Sequence, residues 1–318
     1  MTSTAPAARA ATPQRLRFHG QGGTLFGIQI VNLLLTIVTL GIYSFWAKVR
    51  VRRYLYGQTE FTGDRFAYHG RGKELFIGAL KAFGLIVLFY VLLVIAQMLI
   101  GDVAVLLLYL AILVAIPFAL YGAMRYALSR TSWRGIRFSF RGDLKECIST
   151  YLGGMLLTLL TLGIYYPWFR TRMRSYWVNN TYFGNTPFRF QADAKELIGG
   201  YLLAILLTIP TLYLVWFWFA AKVHRFDWAH TQFAEAPFRS TYTGGGLLWL
   251  TISNLLLVVV TLGLAFPWVL IRTLRYQFDN TLMEGQVDWT RVQQDAQARV
   301  GATGEGLADA LDIGSALG

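Results

Sequence analysis

The sequence contains one cysteine, Cys147, and only four histidines in 318 residues. A single cysteine excludes an intramolecular disulfide framework and a cysteine-built metal cluster. Cys147 heads an apolar run, where a thiol behaves as a small buried hydrophobe. The histidines His19, His69, His224 and His230 are scattered, without the helical or loop spacing of a metal site, so neither a metal nor a cofactor is expected. Catalytic motifs are missing as well: there is no phosphate-cradling glycine loop, no His–Glu metal motif and no nucleophile elbow. An enzyme needs positioned acid, base, nucleophile or metal groups, so a non-enzymatic protein is expected. Residues 1–14 lack an apolar core segment, and no cleavable signal peptide is expected there.

Charge is also scarce. It makes up 14% of the residues, against roughly a quarter in soluble domains, while 55% are hydrophobic. No charged residue lies in 24–47, 82–101, 103–124, 147–169, 197–221 or 240–271. At about 1.5 Å per helical residue, each window is long enough to cross a hydrocarbon core about 30 Å thick. The pattern predicts an all-α polytopic membrane protein with about six transmembrane helices, near 24–46, 76–100, 103–122, 148–168, 198–219 and 246–268. These would form one domain over 15–292, between a disordered tail at 1–14 and a flexible tail at 293–318. The net charge of +12 is concentrated where apolar runs end, beside Trp and Tyr. That arrangement suits anionic lipid headgroups as partners rather than nucleic acid. A second copy of the chain, or another membrane protein, is a further possible partner.

The windows belong to a repeat. Five apolar runs end on an aromatic anchor: Trp46, Phe118, Trp168, Trp218 and Trp268. Eight residues past each comes Tyr54, Tyr126, Tyr176, Phe226 or Tyr276, and thirteen past each comes Thr59, Thr131, Thr181, Thr231 or Thr281. Such self-similarity indicates stacked copies of one supersecondary unit. Seven residues before four of the anchors stands Thr39, Thr161, Thr211 or Thr261, each followed by Leu; the second unit has Ala111 there. Gly41, Gly163 and Gly263 follow two residues after their threonines, and Pro117, Pro167 and Pro267 directly precede their anchors. Gly and Pro so close together predict a kink where each helix leaves the hydrocarbon.

Past each anchor, helical spacing puts a basic stripe on the anchor's own face. Four residues on stand Arg50, Arg172, Lys222 and Arg272; seven on stand Arg53, Arg125, Arg225 and Arg275. With Trp46, Trp168, Trp218 and Trp268 these residues form the candidate interfacial site. Guanidinium groups would reach lipid phosphates while the rings sit at headgroup level. Simple anchoring is the preferred reading of the stripe, and a specific phosphate or lipid-headgroup site is the alternative.

The linkers switch to alternating aromatic and polar residues around Gly-containing turns, as in 61–68, 133–140 and 183–190, which predicts short β-hairpins. A lone hairpin is marginal in water, so the hairpins should pair with one another or lie on the bilayer. Leu16-Arg17-Phe18 occupies the place of a hairpin's second strand, whereas the fifth unit departs from the pattern around Asp288. The first two anchors are 72 residues apart instead of 50, so 76–122 should be a helical hairpin turning near Gly101-Asp102. Six spans put 16 Lys and Arg on one face and 12 on the other, which weakly places the termini outside. A short tail holding Arg15 and Arg17 is a poor candidate for translocation, so the orientation stays open. Re-entrant segments would remove that conflict. Asn32 and Asn254, each 14 residues before an anchor, are candidate intramembrane contacts, expected to hydrogen-bond to each other across a helix interface. The alternative is a polar pathway, which keeps a transporter or channel for a small solute as the second reading.

Phe18-His19-Gly20, then Thr39-Leu40-Gly41-Ile42-Tyr43 leading into Trp46, Arg50 and Arg53-Tyr54, resemble the YjgN family of bacterial inner-membrane proteins, whose function is unknown. The resemblance continues through Thr161-Leu162-Gly163-Ile164-Tyr165-Tyr166-Pro167-Trp168 and Thr261-Leu262-Gly263 into Pro267-Trp268, and covers about 15–292. It implies a multi-pass inner-membrane protein and brings no substrate, cofactor or catalytic residue.

Overall fold

The computed structural model describes residues 13–294. The tails expected at 1–14 and 293–318 therefore lie outside the described residues, apart from 13–14 and 293–294. A strand, β1 (Gln14–Phe18), leads into two helices, α1 (Gly22–Val38) and α2 (Ser44–Gly57), and then a hairpin, β2 (Thr59–Phe61) and β3 (Asp64–Tyr68). The same order recurs with α3 (Gly72–Ile100), α4 (Val103–Ser129), β4 (Thr131–Trp133) and β5 (Ile136–Phe140). Next come α5 (Leu144–Leu160), α6 (Tyr166–Asn179), β6 (Thr181–Phe183) and β7 (Thr186–Phe190). The chain finishes with α7 (Lys195–Leu207), α8 (Val215–Ala229), β8 (Thr231–Phe233), β9 (Ala236–Ser240), α9 (Gly244–Val260), α10 (Phe266–Asp279) and β10 (Thr281–Met283).

Two features overturn the all-α reading with six spans. First, the linker hairpins close into an antiparallel barrel of ten strands, in chain order around the ring. Second, among the described residues only α3 and α4 are long and apolar enough to cross a membrane. The other apolar windows are not single helices. Each breaks into two after its Thr-Leu step, followed by Gly in three units and by Tyr213 in the fourth, where the chain reverses.

The reversal has a local cause. Thr39 Oγ1 donates to the Leu35 carbonyl at 2.7 Å and accepts from Tyr43 N–H at 2.9 Å. Thr161 does the same to Leu157 and Tyr165, and Thr261 to Leu257 and Ala265. One hydroxyl thus ends one helix and starts the next. The following Leu40, Leu162 and Leu262 take the left-handed conformation, with φ of 49° to 50°, and Gly41, Gly163 and Gly263 follow at 90° to 93°. A left-handed glycine after a helix is a helix stop. The Gly–Pro pair is therefore a turn and a fresh helix start, with Pro167 and Pro267 in the first turn of α6 and α10. In the second unit Ala111 replaces the threonine, and the chain runs on as two long helices that turn at Gly101-Asp102, as expected, with Pro117 inside α4.

A second threonine ends each return helix. Thr59, Thr131, Thr181, Thr231 and Thr281 all donate Oγ1 to the carbonyl four residues back, at 2.6–2.9 Å, and the chain leaves the helix as a strand. Inside the barrel Phe61, Phe66, Trp133, Phe138, Phe183, Phe188, Phe233 and Phe238 pack together. Period-two alternation puts these residues on one face. The segment after β10 lies against the same cluster and contributes Val287, Trp289 and Val292. Trp289 stacks on Phe233 at 5.8 Å between centroids and meets Trp133 edge-on at 4.8 Å. The Asn185 N–H donates to the Gln293 carbonyl at 3.0 Å and the Gln293 N–H to Asn185 Oδ1 at 3.2 Å, which fastens this segment to a barrel turn.

The fifth unit has no hairpin of its own. β10 pairs with β9 on one side and with β1 on the other, Gln14 opposite Met283 and Arg15 opposite Leu282. The N-terminal strand supplies the missing second strand and closes the ring.

Three glycines test these assignments in thermal melts of the detergent-solubilised protein. Gly153→Ala meets open space in α5 and should raise stability by about 0.5–1 kcal/mol through helix propensity. In Gly154→Ala the new Cβ would lie 2.1 Å from the Phe169 ring, and Gly163→Ala strains a turn at φ +92°; each should lower stability by about 1–3 kcal/mol.

Candidate functional site

Register fixes where the helices stand. β1 and β2 are antiparallel neighbours joined through α1–α2, and the same holds for β3 and β4, β5 and β6, β7 and β8, and β9 and β10. Every helical hairpin therefore leaves the same end of the barrel. The strand turns at 62–63, 134–135, 184–185 and 234–235 occupy the other end.

The expected basic stripe is divided between two jobs. The anchors reach forward to the next unit: Trp46 lies against Gly72, Trp218 against Gly244 and Trp268 against Gly22. A Cβ on any of these glycines would come within 2.2–2.5 Å of the indole, so the small residue makes room for the ring. The last contact joins the fifth unit to the first. Trp168 is half-buried and stacks on Tyr165 at 5.8 Å.

Seven residues past the anchors, Arg53 donates to the Gly70 carbonyl at 3.1 Å and Arg275 to the Gly20 carbonyl at 2.7 Å. Arg225 donates to the Tyr242 carbonyl. These arginines are tied to the loops between strand and helix. Arg125, the fourth of the set, is half-buried on α4. The next residue reaches back to the start of its own unit: Tyr54 Oη bonds Gln21, Tyr126 Oη bonds Glu74 and Tyr176 Oη bonds the Asp143 carbonyl. Each return helix is thus a strut between the starts of two successive outgoing helices.

Four residues past the anchors the side chains stay outside this framework. Arg50, Arg172 and Arg272 are exposed, while Lys222 is half-buried beside Gly200. They stand one turn past Trp46, Trp168, Trp218 and Trp268, midway along the return helices of hairpins whose tips are bare leucine. Leu40, Leu162 and Leu262 are each 93% exposed and Leu212 is 81% exposed.

The asparagines do not meet as expected. Asn32 Nδ2 donates to the Ala47 carbonyl at 3.4 Å, and Asn254 Nδ2 donates to Thr273 Oγ1 at 3.2 Å. Each amide joins the two arms of its own hairpin. Gly154 and Ala204 hold the equivalent place, and there Phe169 and Phe219 fill the space from the other arm. The position is a hairpin crossing point where side-chain volumes compensate.

An ion cluster between the third and fourth units was not anticipated. Arg170 grips Asp227 through both nitrogens, at 2.9 and 2.5 Å, and Asp227 is 7% exposed. Arg174 lies 4.0 Å from the same carboxylate and over Trp228. A paired, doubly hydrogen-bonded carboxylate is the form in which a buried charge is tolerated. The signal was available: the equivalent residues in the other units are Leu55, Ala127, Trp177 and Gln277, so an acid at 227 breaks the repeat.

Among the described residues no group of three His, Cys, Asp or Glu side chains is placed to hold a metal. His69, bonded to Ser132 Oγ at 2.7 Å, is held below the ordinary histidine range by burial and by Arg137, Arg53 and Arg130. His224, stacked on Tyr242, is pushed down to about 4, chiefly by burial. Both are neutral in the folded protein at neutral pH, so the unfolded chain binds more protons as pH falls. Their contribution is complete above about pH 6.5 and is lost progressively below it. The melting temperature should drop between pH 7 and pH 5, and His69→Gln with His224→Gln should flatten that drop.

The profile of a family described as bacterial protein of unknown function (DUF898) matches residues 13–219 and again 201–310. Inner membrane protein YjgN of Escherichia coli O157:H7 is 42% identical over 132 residues, 40% of this chain and 31% of that protein. YjgN of Escherichia coli strain K12 is 40% identical over 130 residues, and YjgN of Salmonella typhimurium strain LT2 is 30% identical over 161 residues, 47% of this chain and 40% of that protein. The matched region spans between about a third and two fifths of the length of these relatives. No solved structure matches the chain at comparable significance. With two profile matches that together cover nearly the whole sequence, the chain belongs to the DUF898 family of bacterial proteins of unknown function, whose YjgN members are its relatives.

Proposed function

We propose that this protein is a non-enzymatic, lipid-binding scaffold of the bacterial inner membrane, held by its helical hairpins and contacting anionic headgroups through Arg50, Arg172 and Arg272. The inner-membrane naming of the YjgN relatives supports the location. The observation that carries the lipid reading is the sorting of the basic stripe. Arg53, Arg225 and Arg275 are bonded to the framework, while Arg50, Arg172 and Arg272 stand exposed one turn past their Trp anchors, midway along the return helices of leucine-tipped hairpins. Trp and Arg side by side at the foot of an apolar segment suit the headgroup layer, where the ring is half wet and the guanidinium meets phosphate. The long apolar faces of α3 and α4 need hydrocarbon around them. A solute pathway has less support, because aromatic side chains and the segment bearing Trp289 fill the barrel interior.

Tryptophan quenching by brominated lipid tests the proposal. In mixed vesicles, brominated phosphatidylglycerol should quench the reconstituted protein more than brominated phosphatidylcholine. Added salt should narrow the difference, and the triple variant Arg50→Ala, Arg172→Ala, Arg272→Ala should lose it. Equal quenching of the unaltered protein by both lipids would refute anionic-lipid binding.

A further inference from the structure

The five hairpins share one exit from the barrel but differ in reach, and the return arm sets the limit. From Gly41 the chain has six uncharged residues before Lys48; from Gly163 it has six before Arg170; from Gly263 it has eight before Arg272; and from Tyr213 it has eight before Lys222. At about 1.5 Å per residue, these arms separate each tip from the first basic residue by roughly 10–14 Å. A hydrocarbon core is about 30 Å thick, so one leaflet is about 15 Å. Lys and Arg near a helix end keep the charged head in the headgroup layer. The four short tips therefore stop within the leaflet they enter. The second hairpin differs. Lys81 is followed by twenty uncharged residues before Asp102, and 22 more separate Asp102 from Arg125. Each arm is about 30 Å long, enough to cross.

The division of charge between two faces disappears in this geometry, since all the linkers lie at one end. None of the 29 Lys and Arg residues falls between Lys81 and Arg125, and none falls in the four short reversals. The far turn carries only Asp102. A one-sided basic distribution marks the cytoplasmic face.

Resting on the membrane reading above, we infer that the barrel sits on the cytoplasmic side and that four hairpins embed in the cytoplasmic leaflet alone. Only α3–α4 crosses, and Gly101-Asp102 is the protein's sole periplasmic contact among the described residues. The partner of the four leucine-tipped hairpins is the acyl region of one leaflet.

Single cysteines in the full-length chain test this, in a Cys147→Ser background. Asp102→Cys, Leu162→Cys, Leu262→Cys and Glu235→Cys all replace exposed side chains, so packing is untouched. With a membrane-impermeant maleimide on intact spheroplasts, Asp102→Cys should label. Glu235→Cys, on a barrel turn, should label only once the membrane is opened. Leu162→Cys and Leu262→Cys should label from neither side and react only after detergent solubilisation. Labelling of Leu162→Cys or Leu262→Cys in intact spheroplasts would overturn the one-leaflet arrangement. Labelling of Glu235→Cys there would overturn the orientation. Release of the unaltered protein by alkaline carbonate would instead sink the membrane reading itself. Equal quenching of the unaltered protein by the two brominated lipids would sink only the headgroup proposal.

Discussion

The rest of the architecture depends on one hydroxyl group used twice. At each short hairpin tip a threonine gives its proton to the carbonyl four residues behind and takes one from the amide four residues ahead. Two helix ends are satisfied in a turn that contains no charged or water-dependent side chain. Without water to accept and donate, a chain reversal inside hydrocarbon must supply its own partners. With the turn at Gly101-Asp102 serving the second unit, both ends of every helical pair return to the same place. A closed barrel can then be assembled from the pieces between them.

The same economy explains the basic stripe. Repeated Trp, Arg and Tyr residues looked like one device and are three. The indole fills the space over a glycine in the next unit, the inner arginine ties down a loop carbonyl, and the tyrosine holds the start of its own unit. These contacts link neighbour to neighbour around the ring, and Trp268 on Gly22 completes the circuit. Besides the missing hairpin of the fifth unit, the repeat is broken at two further points in the helical layer. The second unit exchanges the threonine turn for length, and the interface between the third and fourth units carries the buried Arg170–Asp227 pair.

Much of this was legible in the sequence. The repeat, the linker strands, the turn at Gly101-Asp102 and the strand role of Leu16-Arg17-Phe18 all follow from spacing and alternation. The six spans did not survive, for a physical reason. An apolar window of more than twenty residues has the same composition whether it runs straight or folds back. What distinguishes the two is the torsion of one leucine, Leu40 or Leu162 or Leu262, a residue type with no preference for the left-handed region. Only the flanking threonine and glycine betray the turn, and next to proline they imitate a kink. The asparagine pairing failed on the same ground, since a polar residue's partner on the returning arm is invisible until the return is known. Asp227 was readable as a break in the repeat, but its partners Arg170 and Arg174 lie a full unit away.

The closing strand has a consequence for how the protein is made. Of the strands in the ring β1 is made first, and β10, one of its two neighbours, is made last. Each of the other units can form its hairpin from adjacent chain as soon as it is synthesised, so assembly can proceed sequentially with little loop-closure cost. β1 can pair with β2 early, but its other edge must wait, unpaired, for more than 260 residues of chain. During that interval the growing ring has an open seam at each end, the edge geometry that recruits a strand from another molecule. Completion is therefore a single event that joins the first and last strands of the ring, and the ring becomes one cooperative unit only once β10 has been made.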